Sequence, residues 1–195
     1  GAANHAGTTP TALRHDAGLA AAKVNVFLRQ LVEKSGGVAT VGCIEFKPNA
    51  INVIPSKAVF TVDLRNPDKE KLDNDEKILA AYLKDLAKED DVKISTEHLT
   101  EFDPVPFDEG IVEKVEKAAK AHGLSVRRIT SGAGQDAQMI ARICPTAMIF
   151  VPSVKGISHN PEEYTKDEDV LAGAGVFLDV VMDMAVVGVP AARNN

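Results

Sequence analysis

Three loops and one arginine carry side chains whose types could do chemistry. His5 stands in Asn4-His5-Ala6-Gly7-Thr8-Thr9-Pro10, an imidazole followed by small residues and turn formers. Its spacing alone reads as a surface histidine ahead of a helix-entry loop. The run Ser131-Gly132-Ala133-Gly134-Gln135-Asp136-Ala137 lies between a β-rich stretch and a helical one, where backbone N–H groups and a helix dipole can hold an anion. It lacks the Lys of a P-loop and the third glycine of a dinucleotide fingerprint, and Ser131 is not in a G-x-S-x-G elbow. His159, in Gly156-Ile157-Ser158-His159-Asn160-Pro161, follows an apolar run, a place from which a side chain can reach a cleft at a strand's C-terminal end. One histidine does not make a metal site, because zinc takes at least three protein ligands. Arg65 has the planar fork that matches a carboxylate with two parallel hydrogen bonds. The plain alternative for it is a surface arginine paired with Asp63 or Asp68.

The elements that must position these residues are written in the hydrophobic pattern. Asp16 to Lys34 is rich in Ala, Leu and Val near helical spacing and is stopped by Ser35-Gly36-Gly37. Val38 to Phe46 reads as β, Pro48-Asn49 breaks it, and Ile51 to Ile54 and Ala58 to Arg65 read as extended. In the last of these, Ala58, Phe60, Val62 and Leu64 share one face, while Val59, Thr61, Asp63 and Arg65 share the other. Arg65 is thus expected to point away from the packed face. A second helix spans Lys71 to Lys88, with Leu79, Tyr82, Leu83 and Leu86 as its buried stripe, and Val92 to Leu99 reads as a strand. This order predicts an α+β fold, a ferredoxin-like sandwich with two helices on one face of a four-stranded antiparallel sheet. The other sheet face must meet solvent, a ligand or another subunit.

Asp103-Pro104-Val105-Pro106 marks a boundary that divides the chain into 1–103 and 104–195. Beyond it, Glu109 to His122, Gln135 to Ile143 and Lys166 to Ala185 read as helices, and Ser125 to Thr130 and Ala147 to Pro152 as strands. Two strands are too few for an independent α/β domain, whose sheet usually has roughly four to six. The second part is therefore expected to be an incomplete α/β segment, and Val189 to Asn195 a frayed tail.

Composition narrows the function classes. The chain has 195 residues, 45% hydrophobic and 26% charged, values of an ordinary globular protein with room for one large domain or two small ones. The net charge of −6 is spread in mixed-sign runs, so no basic face exists for a nucleic-acid partner. No apolar run approaches the roughly 20 residues that span a bilayer. Gly1 to Pro10 has no signal-peptide pattern, and the expectation is a cytoplasmic protein with no membrane partner. Cys43 and Cys144 read as buried thiols, far apart and in apolar surroundings. The opening residues, without a methionine, look like protein interior, so the chain is expected to be a piece of a longer one.

Taken together, five stretches resemble the amidase branch of the zinc-dependent M20-type metallopeptidases, the group of N-carbamoyl-L-amino acid hydrolases, β-ureidopropionases and allantoate amidohydrolases. They are Asn4 to Pro10 with Arg14 and Asp16, Pro48-Asn49-Ala50-Ile51-Asn52-Val53-Ile54-Pro55, Phe60-Thr61-Val62-Asp63-Leu64-Arg65, Ser131-Gly132-Ala133-Gly134, and Gly156-Ile157-Ser158-His159. They occur in the family's order over nearly the whole chain. The resemblance implies that 1–103 is a lid or dimerisation domain and 104–195 the closing segment of the catalytic domain. It implies hydrolysis of a linear amide at a site of two zinc ions, manganese or cobalt being possible substitutes, with His159 as one ligand. The metals would polarise the carbamoyl carbonyl and lower the pKa of a bridging water that a glutamate helps deliver. His5 would stabilise the oxyanion, from the neighbouring subunit of a homodimer. Arg65 and Asn52 would hold the carboxylate of a small substrate, with Gly134 also binding substrate and Gln135 at a catalytic position. Many relatives have histidine where this chain has Gln135, whose amide donates a hydrogen bond but does not titrate near neutral pH. The remaining zinc ligands and the glutamate would precede Gly1, so the chain alone is expected to be inactive. Other readings are a non-catalytic dimerising or ligand-binding module, and an aminoacylase-like or dipeptidase-like hydrolase.

Overall fold

The first helix starts where Asp16 says it must. The Asp16 carboxylate accepts hydrogen bonds from the N–H groups of Gly18 (2.8 Å) and Leu19 (3.0 Å), satisfying two donors that the first helical turn leaves open. The resulting helix, α1 (Ala17–Ser35), ends at Gly36, whose φ of 81° is the left-handed conformation that a residue without Cβ adopts cheaply. Replacing Asp16 with alanine is expected to lower the stability of this part by about 1 kcal/mol, read as a lower urea midpoint. A midpoint equal to that of the parent chain would show that the cap does not hold the helix start.

The computed structural model describes residues 1–187, so the Val189 to Asn195 tail lies outside the described residues. The chain divides into two compact units, Gly1–Pro104 and Val105–Asn195. In the first unit, α1 packs against α2 (Lys69–Glu89), whose start is capped by Asp68. Lys23 near the start of α1 bonds Glu89 (3.0 Å) and Asp90 (2.6 Å) at the end of α2, so the two helices run antiparallel. The core between them is Ala20, Val24, Leu28 and Leu86, with Ala39, Val41, Phe60, Leu79, Tyr82, Val92 and Ile94 packed against it. Phe27 and Tyr82 stack with ring centroids 3.8 Å apart.

The strands are β1 (Asn4–His5), β2 (Val38–Thr40), β3 (Ile44–Lys47), β4 (Val53–Ile54), β5 (Lys57–Phe60) and β6 (Asp63–Arg65). They pair antiparallel as β1 with β4, β2 with β6 and β3 with β5. This corrects the expected four-stranded sheet: the described ladders are two-stranded. The stretches 38–47 and 57–65 do form one long antiparallel ribbon, interrupted in the middle, and the Thr61 N–H still reaches the Cys43 carbonyl there (3.1 Å). Val92 and Ile94 turn toward the core in alternation, but that segment has no ladder. Its side chains obey the two-residue period while its backbone finds no strand partner.

The second unit contains α3 (Glu109–Ala121), α4 (Asp136–Ile140) and α5 (Asp167–Val187). α3 and α5 pack together, tied by His122 Nε2 to Asp179 (2.8 Å) and by Lys114 to Asp183. The segments 125–130 and 147–152 are not ladder strands as expected, because among the described residues neither pairs with a neighbour. α5 buries Val176 and Val180 but exposes Leu171, Phe177, Leu178 and Met182. Cys43 and Cys144 are exposed free thiols, against the expected burial: Cys43 falls in the interruption of the ribbon, and Cys144 follows the short helix at a turn. No described helix is long and apolar enough to cross a membrane.

Candidate functional site

His5 is fixed by its own loop. The pairing of β1 with β4 continues through the Ala6 N–H to the Asn52 carbonyl (2.9 Å), which sets Asn52 beside the His5 turn. Buried Thr9 closes that turn, its hydroxyl donating to the His5 carbonyl (2.7 Å). Arg14 then clasps the outside, donating to the carbonyls of Ala6 (2.6 Å) and Thr9 (3.1 Å). The imidazole Nδ1 accepts the N–H groups of Gly7 (3.0 Å) and Thr8 (3.2 Å). A ring nitrogen that accepts carries no proton, so the neutral ring keeps its hydrogen on Nε2 and offers a donor from an exposed residue. Such a donor can stabilise negative charge developing on an oxygen. Nitrogen-15 spectra of the chain near neutral pH are expected to show His5 as the Nε2–H tautomer, and an Nδ1–H signal would refute this loop geometry.

Arg65 lies on the exposed side of the ribbon, opposite the face where Phe60 meets the helices. The alternation expected for 58–65 holds, except that Val62 is exposed. The Arg65 guanidinium is gripped through Nε (2.7 Å) and Nη2 (2.5 Å) by the two oxygens of Asp63, its neighbour on the same face. That pairing holds the Asp63 carboxyl below its ordinary value of 3.8 and raises Arg65, chiefly through the side-chain hydrogen bond. A lowered carboxylate pKa means that the pairing is intact above pH 3.8 and is lost as pH falls through the folded-state value. A carbon-13 titration of the Asp63 carboxyl is expected to give a midpoint below 3.8. Asp63→Ala removes the grip, and an unchanged Arg65 side-chain signal in that variant would count against it.

Within one copy, Asn52 and Arg65 stand at opposite ends of α1. At the N-terminal end, the Ala17 N–H bonds the Pro55 carbonyl (3.2 Å), which places the turn carrying Asn52 and His5 there. At the C-terminal end, Val38 pairs with Arg65, and a side chain on Gly37 would meet the Arg65 carbonyl at 2.6 Å. The 19 residues of α1 span about 28 Å at 1.5 Å per residue. The structure thus brings Asn52 together with His5 and not with Arg65.

In the second unit, Gly134 is exposed and Gln135 half-buried at the N-cap of α4, where the Gln135 N–H donates to Gln138 Oε1 (3.3 Å). His159 is exposed on a loop closed by the Val154 N–H to the Tyr164 carbonyl (2.8 Å) and by the Ser153 hydroxyl to the Ile157 carbonyl. Its φ is 55°, and its N–H is held by Glu163 Oε2 (2.9 Å). Spacing does not single out Glu163; the sequence signal is only a carboxylate four residues after His159, two past the turn-forming His-Asn-Pro. No three His, Cys, Asp or Glu side chains gather into a metal-holding group among the described residues. His159 therefore belongs to no such group of three among the described residues.

Residues 4–183 match the sequence profile of peptidase family M20/M25/M40. The chain belongs to this family. Among similar proteins, the N-carbamoyl-L-amino-acid amidohydrolase of Rhizobium meliloti is 40% identical over 183 residues, covering 93% of this chain and 44% of the relative. The allantoate amidohydrolase of Escherichia coli is 37% identical, over 95% of this chain and 46% of its own length. Among solved structures, a hydantoinase/carbamoylase family amidase from Burkholderia multivorans superposes with a TM-score of 0.90 at 38% identity, over 95% of this chain and 46% of that one. The chain thus spans less than half the length of each of these three proteins.

Proposed function

We propose that this chain is the lid (1–103) and closing catalytic segment (104–195) of a metal-dependent amidohydrolase that cleaves the linear amide C–N bond of N-carbamoyl amino acids or related ureido acids. The observation that carries the reading is the similarity, over 93% and 95% of the chain, to relatives named for cleaving N-carbamoyl-L-amino acids and allantoate. The apolar faces left open on α5 support the idea that further chain covers them in the longer protein.

Each residue has a task its chemistry suits. The exposed Arg65 fork takes the substrate carboxylate, already oriented by Asp63. His5, with its proton on Nε2, donates to the oxygen that becomes negative when the carbonyl is attacked, and Asn52 beside it offers an amide donor and acceptor. Gly134 and Gln135 lend further donors to the substrate. Zinc, or manganese or cobalt in its place, would polarise the carbonyl and activate water, His159 supplying one of its ligands. Since His5 and Arg65 occupy opposite ends of α1, one substrate meets both only when a homodimer places the lid of one copy beside the other.

The test compares the 195-residue chain with the full-length protein. The chain is expected to retain well under two zinc ions per molecule after dialysis and to leave N-carbamoyl amino acids intact, whereas the full-length enzyme hydrolyses them. Two zinc ions per 195-residue chain, or turnover of N-acyl amino acids or dipeptides in preference to carbamoyl substrates, would overturn the assignment.

A further inference from the structure

His159 sits in a backbone conformation that needs a reason. Its φ of 55° lies in the left-handed region, which non-glycine residues enter seldom, and Lys155 and Gly156 of the same loop are left-handed too, at 60° and 68°. Several bonds hold the loop closed, the Glu163 N–H to the Asn160 carbonyl (2.9 Å) among them. The Val154 N–H bonds the Tyr164 carbonyl at its neck, the Ser153 hydroxyl bonds the Ile157 carbonyl, and Asn160 Oδ1 accepts the Glu162 N–H (2.9 Å). None of these touches His159 itself. Among the described residues, the hydrogen bond that does is Glu163 Oε2 accepting the His159 N–H (2.9 Å).

A residue in the left-handed region points its N–H and its side chain in directions that no neighbouring extended residue shares. If the N–H lost its acceptor, the exposed backbone would relax toward the extended region and swing the imidazole away. We infer that Glu163 is the positioning residue for His159: its carboxylate locks the backbone turn that presents the imidazole. This rests on the reading of His159 as a ligand of the enzyme's metal. Glu163 acts on the main chain, not on the ring, so an amide acceptor should serve nearly as well as a carboxylate. A general electrostatic role would instead demand the charge.

The experiment has two arms. In the isotopically labelled 195-residue chain, without metal, Glu163→Ala is expected to move the His159 Cα and Cβ chemical shifts toward extended values and to speed exchange of its amide, while Glu163→Gln leaves both near the parent. In the full-length enzyme, chelator competition should give roughly 10–100-fold weaker zinc affinity for Glu163→Ala and near-parent affinity for Glu163→Gln, the range typical of groups that orient a ligand. Unchanged His159 shifts in Glu163→Ala overturn the inference, as does zinc loss in Glu163→Gln equal to that in Glu163→Ala. Should His159→Ala keep the parent's zinc affinity, the ligand reading itself fails. The metal-free shifts then still decide whether Glu163 holds the turn.

Discussion

Replacing Leu28 with alanine is expected to cost the first unit about 2–5 kcal/mol. Leu28 is 1% exposed and lies at the centre of the cluster formed with Ala20, Val24 and Leu86. Partly buried groups close over it from both helices and from the ribbon, Phe60 and Ala39 among them, so the space left by three lost carbons has no loose wall to collapse. Val26→Ala, two residues along the same helix but 60% exposed, is expected to change stability by no more than about 0.5 kcal/mol. Urea unfolding of both variants checks the contrast. Equal losses would mean that the buried stripe of α1 has been placed on the wrong face. The contrast also bears on function, because α1 is the strut whose two ends set the His5 turn and Arg65.

How far the sequence told this story depends on which force each feature obeys. Helix starts obey a local force: Asp16, Asp68 and Asp108 each precede their helix and each accepts from its first turn. The stripe of α2 was legible by spacing, yet one member was hidden by its type. Asp75 falls on the same stripe as Leu79, Tyr82 and Leu86 and is 1% exposed, and an aspartate at that position reads as solvent-facing. The outward face of Arg65 followed from strict alternation, which a slip of one residue would have reversed. Strand pairing was not legible, because a ladder needs a partner that alternation does not name. Val92, Ile94 and the segments 125–130 and 147–152 have strand-like sequence without a ladder. The functional residues divide in the same way. His5, Arg65 and His159 can be named from motifs, but what orients the two histidines is a set of bonds from backbone N–H groups: Gly7 and Thr8 to the His5 ring, and the His159 N–H to Glu163. Such bonds depend on loop geometry and leave almost no trace in residue types.

Mixing two inactive full-length variants, His5→Ala and Arg65→Ala, is expected to restore about a quarter of the parent's activity after subunits exchange. Each variant alone is expected to lose about 100-fold or more, one through a missing donor to the developing negative charge and the other through a lost bidentate carboxylate contact. The argument for rescue is geometric. The His5 turn and Arg65 lie at opposite ends of α1, a helix about 28 Å long and longer than any amino-acid-sized substrate, which argues that a single copy does not offer both to one molecule. In a two-fold dimer the two ends meet crosswise. A mixed dimer then has one site with an intact arginine from one copy and an intact histidine from the other, and a second site lacking both. Random exchange makes half the dimers mixed, each with one working site of two, which gives the fraction of about one quarter. The measurement is turnover of an N-carbamoyl amino acid before and after co-refolding the two variants. Activity no higher than the sum of the two variants measured alone would mean that each copy completes its own site, and the separation along α1 would then have to be closed by bending of the ribbon and not by a partner.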